Sequence, residues 1–190
     1  MAKLYRRRIK ILGITGATPP YNTLIPLTDI SPGVDFNQRN GRSIKAKSLQ
    51  LRYVVKFPDS STLDHVTVRI VVVMTKSLEG NTVPLASDIY EYDAAAKQQM
   101  VNAFRANQTD NALRYTVLMD KRLTLDKDYK SEIVISKFIK CRHHIRWIGS
   151  TGTDYGYGHL FTFYIVDNDN TAGTNTVQVQ AQSRFKYVDN

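Results

Sequence analysis

Lys3, Arg6, Arg7, Arg8 and Lys10 put five cations into the first ten residues, with no carboxylate among them. Like charges at this density repel one another and gain nothing from packing. The chemistry they suit is neutralisation of a polyanion, because a phosphate backbone binds such a run by releasing its own condensed counterions. A solvated tail or a nuclear-import address uses the same composition. The net charge of the chain is +9, of which these ten residues supply +5, so the cation excess is concentrated at one end.

Other residue types that do chemistry fall in less favourable company. Cys141-Arg142-His143-His144 carries metal-ligating atoms. Strand alternation sends His144 opposite to Cys141 and His143, however, and no second cluster supplies the remaining ligands, so no metal and no cofactor is expected. Asp126 with Asp128, and Asp167-Asn168-Asp169-Asn170, offer oxygens of the kind calcium takes, but the same residues make ordinary turns, and that is the reading adopted. His65, His143, His144 and His159 lie in or beside strand-like segments without a serine elbow or a cysteine nucleophile motif. The run from Gly149 to Gly158 lacks the lysine and the following helix of a phosphate loop, and reads as a flexible surface loop whose Tyr155 and Tyr157 are placed for a contact. No catalytic residue is assigned, and the chain is not read as an enzyme. The single cysteine, Cys141, forms no internal disulfide, and the charged N-terminus does not resemble a secretory signal, so folding in a reducing cytosol or nucleus is expected. The longest unbroken apolar run, Ile70 to Met74, is far short of the roughly 18 residues a spanning helix needs, so no membrane partner is expected.

The elements that must carry these residues are strands. Period-two alternation is clearest over 177 to 187, where Val177, Val179, Ala181, Phe185 and Tyr187 share one side and Gln178, Gln180, Gln182, Arg184 and Lys186 the other. The same pattern predicts strands over 48 to 57, 66 to 75, 114 to 125 and 132 to 148, with shorter ones at about 8 to 14 and 22 to 29. Leu160 to Val166 is apolar on both faces, as a strand between two layers would be. Turn residues separate these runs, among them Ser31-Pro32-Gly33, Asn40-Gly41 and Glu79-Gly80-Asn81. One stretch breaks the pattern: Asp93 is a good N-cap, and Ala96, Met100, Val101 and Phe104 fall on one helical face. Many strands with one helical insertion predict an all-β sandwich or barrel. Tyr53, Phe57 and Phe163, which base stacking might otherwise recruit, share parity with aliphatic neighbours and are assigned to its core.

Asp35-Phe36-Asn37-Gln38-Arg39-Asn40-Gly41, followed by Ile44 and Leu49-Gln50-Leu51, resembles the small jelly-roll capsid proteins of circular single-stranded DNA viruses. It is also similar to the coat protein of satellite tobacco necrosis virus, an RNA satellite. Val68 to Val72, Asn81-Thr82-Val83-Pro84 leading to Asp88-Ile89, and Tyr115 to Thr124 agree in order and spacing, and together these segments cover most of residues 30 to 126. The resemblance implies an eight-stranded antiparallel jelly roll with a short helical insertion, preceded by a basic arm that faces the genome. Lys3, Arg6, Arg7, Arg8 and Lys10 match that arm, which is shorter here than is usual in these families. The expected organisation is an arm over residues 1–20 and a capsid domain over 21–190.

A packed genome carries about one negative charge per nucleotide, so the arms alone neutralise only part of it and further inward cations are needed. Two acid-free segments are candidates. From Arg39 to Lys56, Arg52 and Lys56 point outward by parity. Arg42 lies in the same segment. Lys45 and Lys47 share parity with Leu49 and Leu51, so either the strand begins after them or a bulge intervenes, and they are placed at the rim. From Lys137 to Arg146, Lys140, Arg142, His144 and Arg146 form a basic ladder opposite Ile139, Cys141, His143 and Ile145. Such a ladder meets nucleic acid, meets carboxylates of a neighbouring subunit, or is solvated surface. The expected nucleic-acid set is therefore Lys3, Arg6, Arg7, Arg8, Lys10, Arg42, Lys45, Lys47, Lys140, Arg142 and Arg146. The function this implies is a coat protein whose partners are itself and single-stranded nucleic acid, DNA rather than RNA. It assembles into an icosahedral shell of sixty copies (T=1) in a virion, by way of the host nucleus or cytoplasm. The alternative is a non-viral β-sandwich module that binds single strands.

Overall fold

The structure is a computed structural model that describes residues 9–17, 24–35, 37–57, 63–76, 83–91, 104–105, 114–167 and 177–189. Its strands are β1 (Ile9–Ala17), β2 (Ile25–Pro26), β3 (Ser43–Lys56), β4 (His65–Thr75), β5 (Tyr115–Asp126), β6 (Glu132–Lys140), β7 (His144–Arg146), β8 (Leu160–Val166) and β9 (Gln178–Asp189). One sheet runs β1-β9-β3-β6, with β7 added on β3, and the other runs β2-β8-β4-β5; every pairing between these strands is antiparallel.

With the short β7 left aside, the first strand pairs with the last, the second with the penultimate, the third with the sixth and the fourth with the fifth. A single long antiparallel ribbon folded over on itself has this signature, and the product is a jelly roll. The fold class expected from the sequence is therefore the one observed. The helix expected after Asp93 falls largely on residues outside those described; within them, Ala86–Asp88 forms a single 3-10 turn, and Phe104 is exposed and not helical.

Parity explains how β8 comes to be buried on both sides. Leu160, Tyr164 and Val166 face the sheet opposite and join Leu49, Leu51, Tyr53, Val55, Val68, Ile70 and Phe185 in the inter-sheet core. Phe161, Phe163 and Ile165 face away and, with Val71 and Val73, are covered by Val83, Ala86, Ile89 and Tyr90 of the long connection between β4 and β5. Tyr53, Phe57 and Phe163 are all buried, as alternation predicted. The two layers are also joined by a polar link: Thr162 donates its hydroxyl to the Val71 carbonyl at 3.0 Å, leaving the Tyr53 hydroxyl, 2.7 Å away, to donate to Thr162.

Two expectations need correction. The strand expected over 132 to 148 is two, β6 and β7, separated at residues 141–143, although the alternation of burial continues through the break. β1 falls inside the segment expected to be arm, where the pattern also predicts a short strand over about 8 to 14. The glycine-containing loop before β8 is packed rather than loose. Tyr155 pairs with Trp147 across an isolated bridge and buries its ring edge-on against His159 and Phe161, so it is core, while Tyr157 remains exposed. Gly158 sits there at φ 83°, where an added Cβ would come within 2.5 Å of the His144 carbonyl oxygen. No helix among the described residues is long and apolar enough to cross a membrane.

Candidate nucleic-acid interface

The two sheets differ in what covers their outer faces. The β2-β8-β4-β5 sheet is roofed in part by the connection that carries Tyr90, which covers Val71, Val73, Phe161, Phe163 and Ile165, while at Asp120, Arg122 and Thr124 the rest of that outer face is exposed and mixed in charge. Over the other sheet no described segment forms such a roof, and its outward residues are mostly polar and cationic, with Val54, Val134 and Phe138 among them. On β9, Gln178, Gln180, Gln182, Arg184 and Lys186 alternate with buried Val179, Ala181, Phe185 and Tyr187. On β3, Gln50, Arg52 and Lys56 alternate with Leu49, Leu51, Tyr53 and Val55.

The start of β3 carries Lys45 and Lys47, and the bulge alternative is the one realised. Pairing with β9 shifts register between Ala46 and Ser48, so Lys47 is the extra residue and both Lys45 and Lys47 point outward although Leu49 and Leu51 point in. Register then gathers the cations. Ser48 lies between Lys186 of β9 and Lys140 of β6, Gln50 lies between Arg184 and Phe138, and Lys45 lies opposite His144 of β7, next to the pair Ser43 and Arg146. Lys140, Arg142, His144 and Arg146 are all exposed, while Cys141 and Ile145 are buried. At the far end of the face Lys56 meets Glu132 at 3.3 Å, an exposed pair worth little that cancels the charge there. Among the described residues, the positive charge outside the ion pairs of Lys10, Lys56 and Arg69 with carboxylates therefore lies around Arg52, Arg184, Lys186, Lys140, Lys45 and Arg146.

Lys10 does not belong to this set. It lies in β1, its ammonium bonds Asp189 at 2.7 Å and donates to the Gln38 carbonyl at 2.8 Å, and only 15% of its side chain is exposed. It fastens the first strand to the last and to the loop before β3. Lys3, Arg6, Arg7 and Arg8 fall outside the described residues. Arg39, which opens the first acid-free segment, is also occupied. It donates to the carbonyls of Ile30 (3.0 Å), Thr151 (2.9 Å) and Gly41 and lies over the Trp147 ring, 4.5 Å from its centre. Arg52, Arg184 and Lys186 complete the face and were not in the expected set. Their outward parity was visible, but their convergence depends on β9 lying between β1 and β3.

The remaining titratable groups are structural. Burial pushes the Cys141 thiol up to about 11, so it stays protonated and unreactive. Asp126 accepts from the backbone N–H of Asp128 (2.9 Å) and Tyr129 (3.1 Å), which makes it a turn aspartate. No group of metal-ligating side chains occurs among the described residues. His159 is fully buried between the sheets' ends. Its Nε2 lies 3.1 Å from the Arg146 carbonyl and so must carry the proton, and its Nδ1 accepts from the Thr28 hydroxyl at 3.1 Å, which in turn accepts from the Leu160 N–H at 3.2 Å. Trp147 meets the imidazole ring edge-on, 4.8 Å between centres.

Burial lowers the His159 pKa to about 4, the hydrogen bond to Arg146 only partly opposing it, and burial lowers that of His143 as well. The unfolded chain therefore takes up a proton near pH 6.5 that the folded chain refuses until about pH 4. Stability is complete above about pH 6.5 and falls as the pH drops toward 4, by about 3 kcal/mol from His159 alone. Denaturant melts between pH 7 and 4.5 are expected to show this loss, and an unchanged midpoint across that window would contradict it.

No family model and no curated protein matches this chain. Among solved structures it is similar to a chain of the semi-empty virus-like particle of the Macrobrachium rosenbergii (giant freshwater prawn) nodavirus, at 8% identity and TM-score 0.44, covering 99% of this chain and 86% of that one. It is likewise similar to a chain of desmodium yellow mottle tymovirus, at 8% identity and TM-score 0.38, covering 100% and 91%. A third is from naturally occurring empty particles of cowpea mosaic virus, at 10% identity and TM-score 0.36, covering 97% and 89%. At such identities the likeness concerns the path of the backbone, which the strand order of this chain gives by itself.

Proposed function

We propose that this chain is a viral coat protein that tiles with copies of itself into a closed shell and holds a single-stranded genome against the uncovered face of the β1-β9-β3-β6 sheet. The observation that carries the reading is the asymmetry of the jelly roll: among the described residues one outer face is partly roofed and carries both Asp120 and Arg122, while the other is uncovered and mainly cationic, with its Glu132 paired to Lys56. A bare cationic face on a rigid sheet suits a phosphate backbone, and it binds without reading sequence. Lys3, Arg6, Arg7 and Arg8 extend that charge from the first strand, whose N-terminus lies at the edge of the same sheet. Exposed apolar side chains at Val34, Leu85, Tyr129 and Ile148 lie outside the strands and supply contacts between copies, each weak and made effective by closure. The shell we propose is the simplest icosahedron of sixty copies, and the genome circular DNA, following the family resembled.

The experiment is expression of the chain with and without residues 1–8, a cut that leaves β1 and the Lys10–Asp189 pair intact. Negative-stain microscopy with nuclease protection is expected to show virus-sized particles in both cases, with less protected nucleic acid in the shortened form. A product that stays a lone subunit in every buffer, yet binds single strands, would favour the alternative of a non-viral binding module.

A further inference from the structure

We infer that the centre of the cationic face holds a built subsite for one unpaired nucleotide, with Phe138 stacking the base and Arg52 and Arg184 taking its phosphates; this rests on the proposed role of the face and assigns its binding mode. A shallow depression of about 250 Å³ crosses the sheet there, lined by Gly13, Gln50, Arg52, Phe138, Gln182 and Arg184 among others, and no carboxylate lines it. Register explains its shape and its chemistry. Gly13, Arg184, Gln50 and Phe138 stand side by side on β1, β9, β3 and β6, and Gln182, Arg52 and Ser136 form the adjacent row. Gly13 lowers one wall, since a Cβ there would have its nearest neighbour 4.0 Å away in the Ser183 carbonyl and the space stands open instead. Phe138 forms the other wall.

Phe138 is 58% exposed, and Val134, four residues earlier in β6 and on the same side, is 65% exposed. A lone exposed aromatic beside two arginines offers what single strands use: a flat apolar surface for a base and flanking cations for the backbone. Arg52 and Arg184 enter no ion pair among the described residues, so their charge is uncompensated. Gln50 and Gln182 present amides able to donate to or accept from any base edge, which fits binding that tolerates every sequence. Stacking on Phe138 requires a base free of its neighbours, so the ligand is a single strand and not a duplex.

The test compares the purified wild-type chain with Phe138→Ala and with Lys140→Gln/Lys186→Gln, using fluorescent oligodeoxythymidylate and, as a polyanion without bases, inorganic polyphosphate. Phe138→Ala is expected to weaken oligonucleotide binding about five- to a hundredfold, to leave the salt dependence unchanged, and to leave polyphosphate binding unchanged. Phe138→Trp should restore oligonucleotide affinity. The lysine variant should weaken both ligands and lower the salt slope by roughly 0.7 for each cation removed. Equal oligonucleotide affinity for wild type and Phe138→Ala overturns the subsite while leaving the face intact. So does a loss of particles with binding preserved, which would make Phe138 a contact between subunits. If the lysine variant binds both ligands as the wild type does, the proposed role of the face itself has failed.

Discussion

Replacement of Asp120 by alanine is expected to destabilise the subunit by about 3 kcal/mol, the lower end of what removing one partner from a buried ion pair costs. Arg69 points away from the inter-sheet core into the layer beneath the β4–β5 connection, where only 4% of its side chain is exposed. Asp120 receives its Nε at 2.8 Å and its Nη2 at 2.6 Å, and the Tyr90 hydroxyl donates to the same carboxylate at 2.9 Å. The Tyr90 ring in turn lies 4.0 Å from the guanidinium carbon. Without the carboxylate the guanidinium stays desolvated beside an orphaned hydroxyl, and the connection that roofs Phe161, Phe163 and Ile165 loses its polar fastening. The estimate sits at the low end because 27% of the Asp120 side chain reaches solvent.

The double variant Arg69→Met/Asp120→Leu removes both charges and should recover most of the loss, as paired replacement of buried ions does. Equilibrium denaturation of the three variants checks this, and a loss below about 1 kcal/mol for Asp120→Ala would mean the pair is not a fastening. The pH window is separate from that of His159. Burial raises the Asp120 pKa, but hydrogen bonds from Arg69 and Tyr90 and the charge of Arg69 outweigh it, so the carboxyl lies below its ordinary 3.8. The pair's contribution is thus whole above about pH 4 and fades only below it, after His159 has already cost its share.

The second large effect concerns the cationic face. Neutralising Lys45, Lys140, Arg184 and Lys186 together is expected to lower affinity for single strands several hundredfold at 0.1 M salt. Each lost phosphate contact takes roughly 0.7 from the slope of log affinity against log salt, and four such losses multiply. The side chains are outward on three neighbouring strands, so the fold should survive, as retained particle formation or an unchanged melt would show. Titrations over a range of salt concentrations measure the slope directly. An unchanged slope would mean that nucleic acid is held elsewhere.

How far the sequence discloses this molecule follows from the range of the forces involved. Alternation is local, so β4, β5, β8 and β9 fall within two residues of where the pattern places them, and the two-sided burial of β8 is written in its unbroken apolar run. The break between β6 and β7 was hidden because Cys141, His143 and Ile145 keep inward parity through it. Lys10 reads locally as one more arm cation, yet its partner Asp189 lies at the other end of the chain and meets it only because the first strand pairs with the last. Arg39 likewise looks free until loops from three segments bring carbonyls around it. The same holds for the candidate site: parity marks Arg52, Arg184 and Lys186 as outward, but only sheet order makes neighbours of strands far apart in sequence.

In the proposed particle, nucleic acid lies on the uncovered face of the β1-β9-β3-β6 sheet, inside a shell made of this chain. Ultraviolet cross-linking of purified particles, followed by mass spectrometry of the protein, tests it most directly. Cross-linked peptides are expected to carry Phe138 and Lys140 from β6 and Arg184 and Lys186 from β9. Cross-links confined to β5 and the connection that covers the opposite sheet would contradict it.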